Sequence, residues 1–217
     1  RDHWSWCSVL GLSGAGINMG TVVGRTDKLC ERPTDAVYNT HDFAATIYHG
    51  LPEKLLTPQS VTPHYLAFLG RIAPEKAVDR AIRIACQAGL PLKIAAKVDK
   101  VDREYFETEI RPLLALPNIE YIGEISDAEK SSFLSGAMAL LMPIDWPEPF
   151  GLVMIEAMAC GTPVIGYGSG SVPEVVEEGL TGYIVHDELS AVAAIERAIQ
   201  LPRTLIRRRF EQRRCAG

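Results

Sequence analysis

The stretch Glu148-Pro149-Phe150-Gly151-Leu152-Val153-Met154-Ile155-Glu156-Ala157-Met158-Ala159-Cys160-Gly161-Thr162-Pro163-Val164-Ile165 governs the reading of the whole chain. Two glutamates bracket seven residues, in the form E-x7-E. The apolar run predicts a helix over Phe150–Cys160, followed after Gly161 by a strand over Pro163–Tyr167. Glu156 then lies inside the helix among Val153, Met154, Ile155, Ala157, Met158 and Ala159. An ionised carboxylate in such company is costly unless donors reach it. Sugar or ribose hydroxyls are suitable donors; an internal ion pair or a capped loop is the alternative. Just upstream, Pro143 to Phe150 is too apolar and too rigid for a plain connector. Trp146 and Phe150 can wall a pocket, Gly151 lets a ligand approach the backbone, and the helix opens with unpaired amides.

Outward from this stretch, strands and helices alternate. Strands are expected at Ala44–Tyr48, Tyr65–Gly70, Leu92–Ala96, Ile119–Ile122, Ala137–Met142, Pro163–Tyr167 and Gly182–Val185. Helices are expected from Pro74 to Gly89, with Val78, Ala81, Ile82 and Ala85 on one face, and from about Asp102, disturbed at Pro112. Another starts at Ser126, where Ser126-Asp127-Ala128-Glu129 has capping-box form. The last two are Val172–Glu178 and Ser190–Gln200. Such alternation implies right-handed crossovers and a parallel sheet covered on both faces. The fold class is therefore α/β, a doubly wound, Rossmann-like sheet, with ligands beyond the carboxyl ends of the strands. Prolines 52, 58 and 63 mark a linker.

Loop 70–76 is Gly70-Arg71-Ile72-Ala73-Pro74-Glu75-Lys76. Gly70 permits an unusual turn. Arg71 and Lys76 straddle a loop-to-helix junction, where a diphosphate suits both a forked guanidinium and a point charge. Two solvated surface charges are the plainer alternative. Gly168-Ser169-Gly170-Ser171-Val172-Pro173 has the look of a phosphate nest, a weak signal. His3, His41, His49, His64 and His186 show no metal-ligand spacing, and no zinc, Walker or G-x-S-x-G pattern occurs.

The chain has 217 residues and a formal net charge of −5, which argues against nucleic-acid binding. Five widely spaced cysteines without C-x-x-C read as free thiols in a reducing cytoplasm. No apolar run approaches the ~18 residues a membrane helix needs, and Arg1-Asp2-His3-Trp4, with no apolar h-region after them, are not expected to build a signal peptide. Residues 203–217 hold six arginines against one glutamate. They read as a helix with a solvated face or as a patch for an anionic membrane surface or phosphate. Residues 1–40 have no sustained period. Gly14 to Met19 misses G-x-G-x-x-G at its last position, which speaks against a dinucleotide site.

Residues 44–200 resemble the carboxy-terminal domain of GT-B glycosyltransferases of family 4, the group 1 transferases. The resemblance rests on the Glu148–Ile165 run, on Gly70-Arg71 with Lys76, on Gly168 to Glu174 and on Tyr48 to Pro52. It implies a donor site for a nucleoside-diphosphate sugar and transfer to an unknown acceptor (sugar, lipid or small molecule) with retention at the anomeric carbon. No cofactor and no obligatory metal are implied. Arg71 and Lys76 would hold the diphosphate and neutralise the leaving group, Glu156 would bind ribose hydroxyls, and Glu148 would lie by the donor sugar. Gly151 and Leu152 would offer amides there, Gly70 would line the site, and Ile122 would lie near the base. Ala77 departs from the glycine usual in the family.

The expected organisation is a remnant or non-native remainder of an acceptor domain (1–52), a linker (53–62), the donor-binding domain (63–202) and a basic terminal helix or tail (203–217). The chain then reads as a fragment, cytoplasmic or peripheral to the inner face of the membrane through weak contact of its arginines. A binding module without turnover is the main alternative. An epimerase, a phosphorylase and a dehydrogenase fit the motifs less well.

Overall fold

The computed structural model describes residues 56–215, with side chains through Arg213. The strand expected at Ala44–Tyr48, the Gly14–Met19 turn, residues 1–52 and residues 53–55 of the linker lie outside the described residues.

Six parallel strands form one sheet: β1 (Tyr65–Ile72), β2 (Leu92–Val98), β3 (Ile119–Gly123), β4 (Ala137–Met142), β5 (Val164–Tyr167) and β6 (Gly182–Val185). Their order is β3-β2-β1-β4-β5-β6. The direction of winding reverses between β1 and β4, so a crevice opens beyond the carboxyl ends of those two strands. Side chains alternate along a strand, and both faces here are apolar. Leu66, Phe68 and Ile72 of β1 join Ile94, Leu141 and Ile165 on one face. Tyr65 and Ala67 join Leu140, Met142 and Val164 on the other.

Helix α1 (Val78–Ala88) and helix α6 (Glu188–Ile199) cover the first face. Helix α1 buries Val78, Ala81, Ile82, Ile84 and Ala85. Each large aliphatic side chain buried in this way contributes about 1.5–3 kcal/mol. Its expected opening at Pro74 is corrected: Pro74–Lys76 is a separate 3-10 turn, and Ala77 adopts a left-handed conformation (φ 51°) before the helix begins. An alanine there costs about 1–2 kcal/mol relative to the right-handed region, which accounts physically for a preference for glycine at this point. Gly70 lies within β1, so the turn it was expected to make falls later, at Ala77.

Between β2 and β3 runs an irregular helix, α2 (residues 103–113), whose central turn Phe106–Ile110 is π-helical. Pro112 has no N–H to donate to the carbonyl of Thr108. The Arg111 N–H reaches back to the Phe106 carbonyl instead.

The opposite face is covered by α3 (Asp127–Ser135), α4 (Leu152–Ala159), the short α5 (Val172–Val175) and α7 (Arg203–Cys215). At the start of α3 the Ser126 N–H donates to Glu129 Oε2 at 2.8 Å, as the capping box predicts. Helix α4 begins two residues later than expected because Gly151 precedes it with left-handed φ of 61°. Helix α5 ends early, where Val176 turns extended.

The segments read as linker and tail both enter this core. Leu56, Ile206 and Phe210 are buried in it. The Thr57 and Gln59 N–H groups donate to Ser131 Oγ and Ser135 Oγ on α3. Arg203 donates to the carbonyls of Ser135 and Ala137 and to Thr162 Oγ1. Arg207 donates to the carbonyls of Leu56 and Ala159, while Arg209 and Arg213 pair with Glu177 at 2.7 Å. The solvated-face reading of α7 is therefore corrected: four of its arginines bind within the domain, and Arg208 is exposed. No helix among the described residues is long and apolar enough to cross a membrane.

Candidate functional site

The crevice between β1 and β4 contains a pocket of about 220 Å³. Gly70 lines it from β1, Lys76 from the turn after β1, and Glu148, Phe150, Gly151 and Leu152 from the segment joining β4 to α4. Six sequence-predicted residues thus meet at one place, although 72 positions separate Lys76 from Glu148. Gly151 takes a left-handed φ of 61°, which disfavours any side chain, and a Cβ there would also displace the Met154 methyl. At the start of α4 the Met154 N–H donates to the Gly151 carbonyl at 2.9 Å, and Gly151, Leu152 and Val153, which precede the first i→i−4 bond, line the pocket wall.

Two loops are tied across the crevice. Lys76 Nζ forms an ion pair with Glu148 Oε2, and the same oxygen accepts from Trp146 Nε1 at 3.1 Å. The Lys76 ammonium also lies 5.0 Å from the centre of the Trp146 ring, within cation–π range. The Asp145 N–H donates to the Glu75 carbonyl at 3.0 Å, and Arg80 pairs with Asp145 at 3.1 Å.

The glycine-rich loop after β5 holds this arrangement from behind. The Ser171 N–H donates to the Glu148 carbonyl at 2.7 Å, and Ser169 Oγ donates to the Trp146 carbonyl at 3.0 Å. Gly170 has φ 58°, and a Cβ there falls 2.3 Å from both the N and the O of Glu148. Its role as a free phosphate nest is corrected: close approach to the Glu148 backbone is what the glycine permits.

Arg71 does not line the pocket; Glu75 takes its guanidinium at 2.5 Å, and Asp99 and Asp102 stand at 3.6 and 3.7 Å. The Glu75 hydrogen bond raises the Arg71 pKa further. Glu75's own backbone N–H, then Arg71, holds its carboxyl below the usual value against the effect of burial.

Glu156 does not line this pocket. It projects from α4 toward α3, is 9% exposed, and pairs with Lys130 at 2.8 Å. Lys130 also contacts Asp127 at 3.0 Å. Burial pushes the Glu156 carboxyl above its ordinary value, against the pull of Lys130. The less buried Lys130 responds in the opposite sense: desolvation disfavours its charge, but Glu156 and Asp127 outweigh that and raise its pKa. Desolvation therefore dominates at the carboxylate and pairing dominates at the ammonium. Lys130 went unsingled in the sequence because its partner is 26 residues away on another helix. Ile122 sits at the end of β3 with its side chain exposed.

A doubly wound sheet with its pocket at the reversal point defines the class, and its structural neighbours are GT-B glycosyltransferases. The family model for glycosyl transferases group 1 matches residues 57–213, and the chain belongs to that family. A second model, for a protein of unknown function (DUF1501), matches residues 1–75. D-inositol 3-phosphate glycosyltransferase of Mycobacterium tuberculosis is 30% identical over 170 residues, which cover 72% of this chain and 34% of that protein. Anabaena HepE, solved with UDP and glucose, superposes with a TM-score of 0.66 at 17% identity, over 75% of this chain and 51% of that one. The C-terminal domain of a group 1 family glycosyl transferase (LpcC) from Francisella tularensis gives 0.59 at 19% identity, over 76% of this chain and 94% of that one. The chain spans about a third of the length of the curated relatives it matches.

Proposed function

We propose that residues 63–202, with the flanking segments packed on them, form the nucleotide-sugar-binding domain of a retaining family 4 glycosyltransferase. The domain would present a nucleoside-diphosphate sugar for transfer to an acceptor held largely by another domain. The observation that carries this is the meeting of Lys76 and Glu148 at the pocket in the β1–β4 crevice.

In this role Lys76 and Arg71 bind the diphosphate and stabilise its charge as it departs, which is the electrostatic work a metal does elsewhere. Both cations are partnered by carboxylates, Glu148 and Glu75, so a diphosphate binds by exchanging those pairs. The amides of Gly151 and Leu152 lie on the same wall. Glu148 accepts from donor-sugar hydroxyls, Glu156 from the ribose, and Ile122 borders the base. No metal is called on. The curated relative's printed activity, sugar transfer to D-inositol 3-phosphate, is one acceptor class for the test.

Calorimetry of the full chain with UDP, GDP, ADP and their sugar conjugates tests the reading, with transfer assays on inositol phosphates and simple glycosides alongside. Saturable binding of one nucleoside diphosphate, lost in Lys76→Ala, is expected. Absence of binding by every nucleotide sinks the proposal. Binding without turnover favours a donor-holding module.

A further inference from the structure

We infer that Lys130 is a positioning residue for the nucleotide, holding the Glu156 carboxylate in the ionised form that accepts both ribose hydroxyls. This role rests on the nucleotide reading above. Glu156 lies on the buried face of α4, between Met154, Ile155, Ala157 and Met158, which are all fully buried. An ionised carboxylate offers about four lone-pair sites, whereas a protonated one gives up part of that capacity and becomes a donor. A diol that donates two hydrogen bonds is therefore matched better by the ionised form. Burial alone opposes that form.

Lys130 supplies the compensating charge from the neighbouring helix. Its Nζ takes Glu156 Oε1 at 2.8 Å. Among the described residues Oε2 accepts no hydrogen bond, so the pair with Lys130 engages one oxygen of the carboxylate and leaves the other without a protein donor. The charged groups facing Glu156 are few. Lys130 favours its ionisation, and Asp127, on the same helix as Lys130, opposes it. Cys160, one turn along α4, is a buried thiol pushed up to about 11 and therefore neutral. Lys130 is thus the group that favours a charged Glu156, and Asp127 draws it to the start of α3, where Glu156 passes.

The test compares wild type with Lys130→Met, Lys130→Gln and Lys130→Arg. Carbon-13 NMR of the Glu156 carboxyl reads its titration directly, and calorimetry with UDP, GDP and ADP reads affinity from about pH 6 to about pH 8. In Lys130→Met the Glu156 midpoint is expected to rise. Its nucleotide affinity is expected to fall about threefold or more on acidification while wild type changes little, since a raised midpoint depletes the ionised form. Lys130→Arg is expected to restore both. Coincident midpoints, or an affinity loss in Lys130→Met that is the same at every pH, overturn the role. Lys130→Gln keeps a donor without the charge and decides the matter if Lys130→Met does not fold. Should wild type bind no nucleotide, the nucleotide reading fails alone, and the carboxyl titration still decides whether Lys130 controls Glu156.

Discussion

Trp146 Nε1 donates to the one Glu148 oxygen, Oε2, that also takes the Lys76 ammonium. Two donors on one oxygen fix the carboxylate at the pocket rim, and they also occupy the cation that a diphosphate would use. The two roles are therefore separable by substitution. In Glu148→Gln the attraction on Lys76 weakens. Nucleoside diphosphate affinity is expected to hold or improve, while sugar transfer falls about 100-fold, the scale seen for loss of one preorganised electrostatic contact. Calorimetry with a nucleoside diphosphate that carries no sugar, beside a transfer assay, separates the outcomes. A large loss of diphosphate affinity contradicts the assignment of Glu148 to the sugar.

Arg71 and Glu156 are the residues proposed to hold the diphosphate and the ribose. Arg71→Ala and Glu156→Ala are each expected to weaken nucleotide binding by about 1–3 kcal/mol, as for hydrogen bonds to charged groups. The Arg71 effect should shrink at high salt because its side chain is 42% exposed. Calorimetry at two ionic strengths measures both. Unchanged affinity in both variants dismantles the site.

Much of this was legible in the sequence, and the losses have physical causes. The central strands β1, β4 and β5 were readable because both faces of a parallel sheet are buried there, so each is largely an apolar run, whereas β3 at the edge is half exposed. Lys76, Glu148 and Gly151, which meet at the pocket, were readable as residues of a loop-to-helix junction and a helix start, whereas Leu152 came only with the family resemblance. What escaped was what depends on close approach between distant segments. The loop at Gly170 looked like an anion nest, yet its backbone serves Glu148. Lys130 was not singled out, because its partner Glu156 lies 26 residues away on another helix. The arginines of α7 looked solvated, because composition does not show that Ile206 and Phe210 draw that helix into the core.

Gly170 gives a direct test of the support behind the site. Its φ of 58° disfavours any Cβ, and that Cβ would collide with the Glu148 backbone at 2.3 Å. Gly170→Ala is expected to cost about 1–3 kcal/mol in stability, the range for strained backbone positions. It should also weaken donor-sugar binding, because relief requires the Glu148 loop to move. Thermal unfolding and donor titration check the pair of effects. A stable Gly170→Ala protein with unaltered donor affinity contradicts the close contact.

The α7 arginines require a different experiment from truncation. Removing residues 203–215 also removes Ile206 and Phe210 from the core and is expected to unfold the domain, so loss of liposome binding after truncation is uninformative. Arg203→Met is the sharper structural probe. It strips donors from the carbonyls of Ser135 and Ala137 and from Thr162 Oγ1. At about 1 kcal/mol per hydrogen bond, with a further cost for buried acceptors left unpaired, a loss of about 2–4 kcal/mol is expected. Arg208→Glu should leave stability unchanged and is the variant for testing attraction to anionic vesicles. Denaturant unfolding of both variants checks the contrast, and equal stability of the two removes Arg203 from its structural role.

Glu156 ties the site to pH. Burial raises its folded-state pKa above the ordinary glutamate value, so the folded protein binds this proton more tightly than the unfolded chain does. The sign follows from linkage: the group destabilises the folded state above its unfolded pKa, and the cost grows as pH rises through the folded value. Below the ordinary glutamate range both states are protonated and the cost vanishes. Glu156→Gln removes the ionisation while keeping the shape. The variant should therefore match wild type in acid and gain on it as pH rises toward neutrality, with Lys130, partly exposed, finding water or Asp127. Such a gain, accompanied by weaker nucleotide binding, is the signature of a residue kept for function at a cost in stability. Melting temperatures of both proteins across the acid-to-neutral range decide it. A Glu156→Gln protein that falls further behind wild type as pH rises would show instead that the Lys130 pair is a net stabiliser.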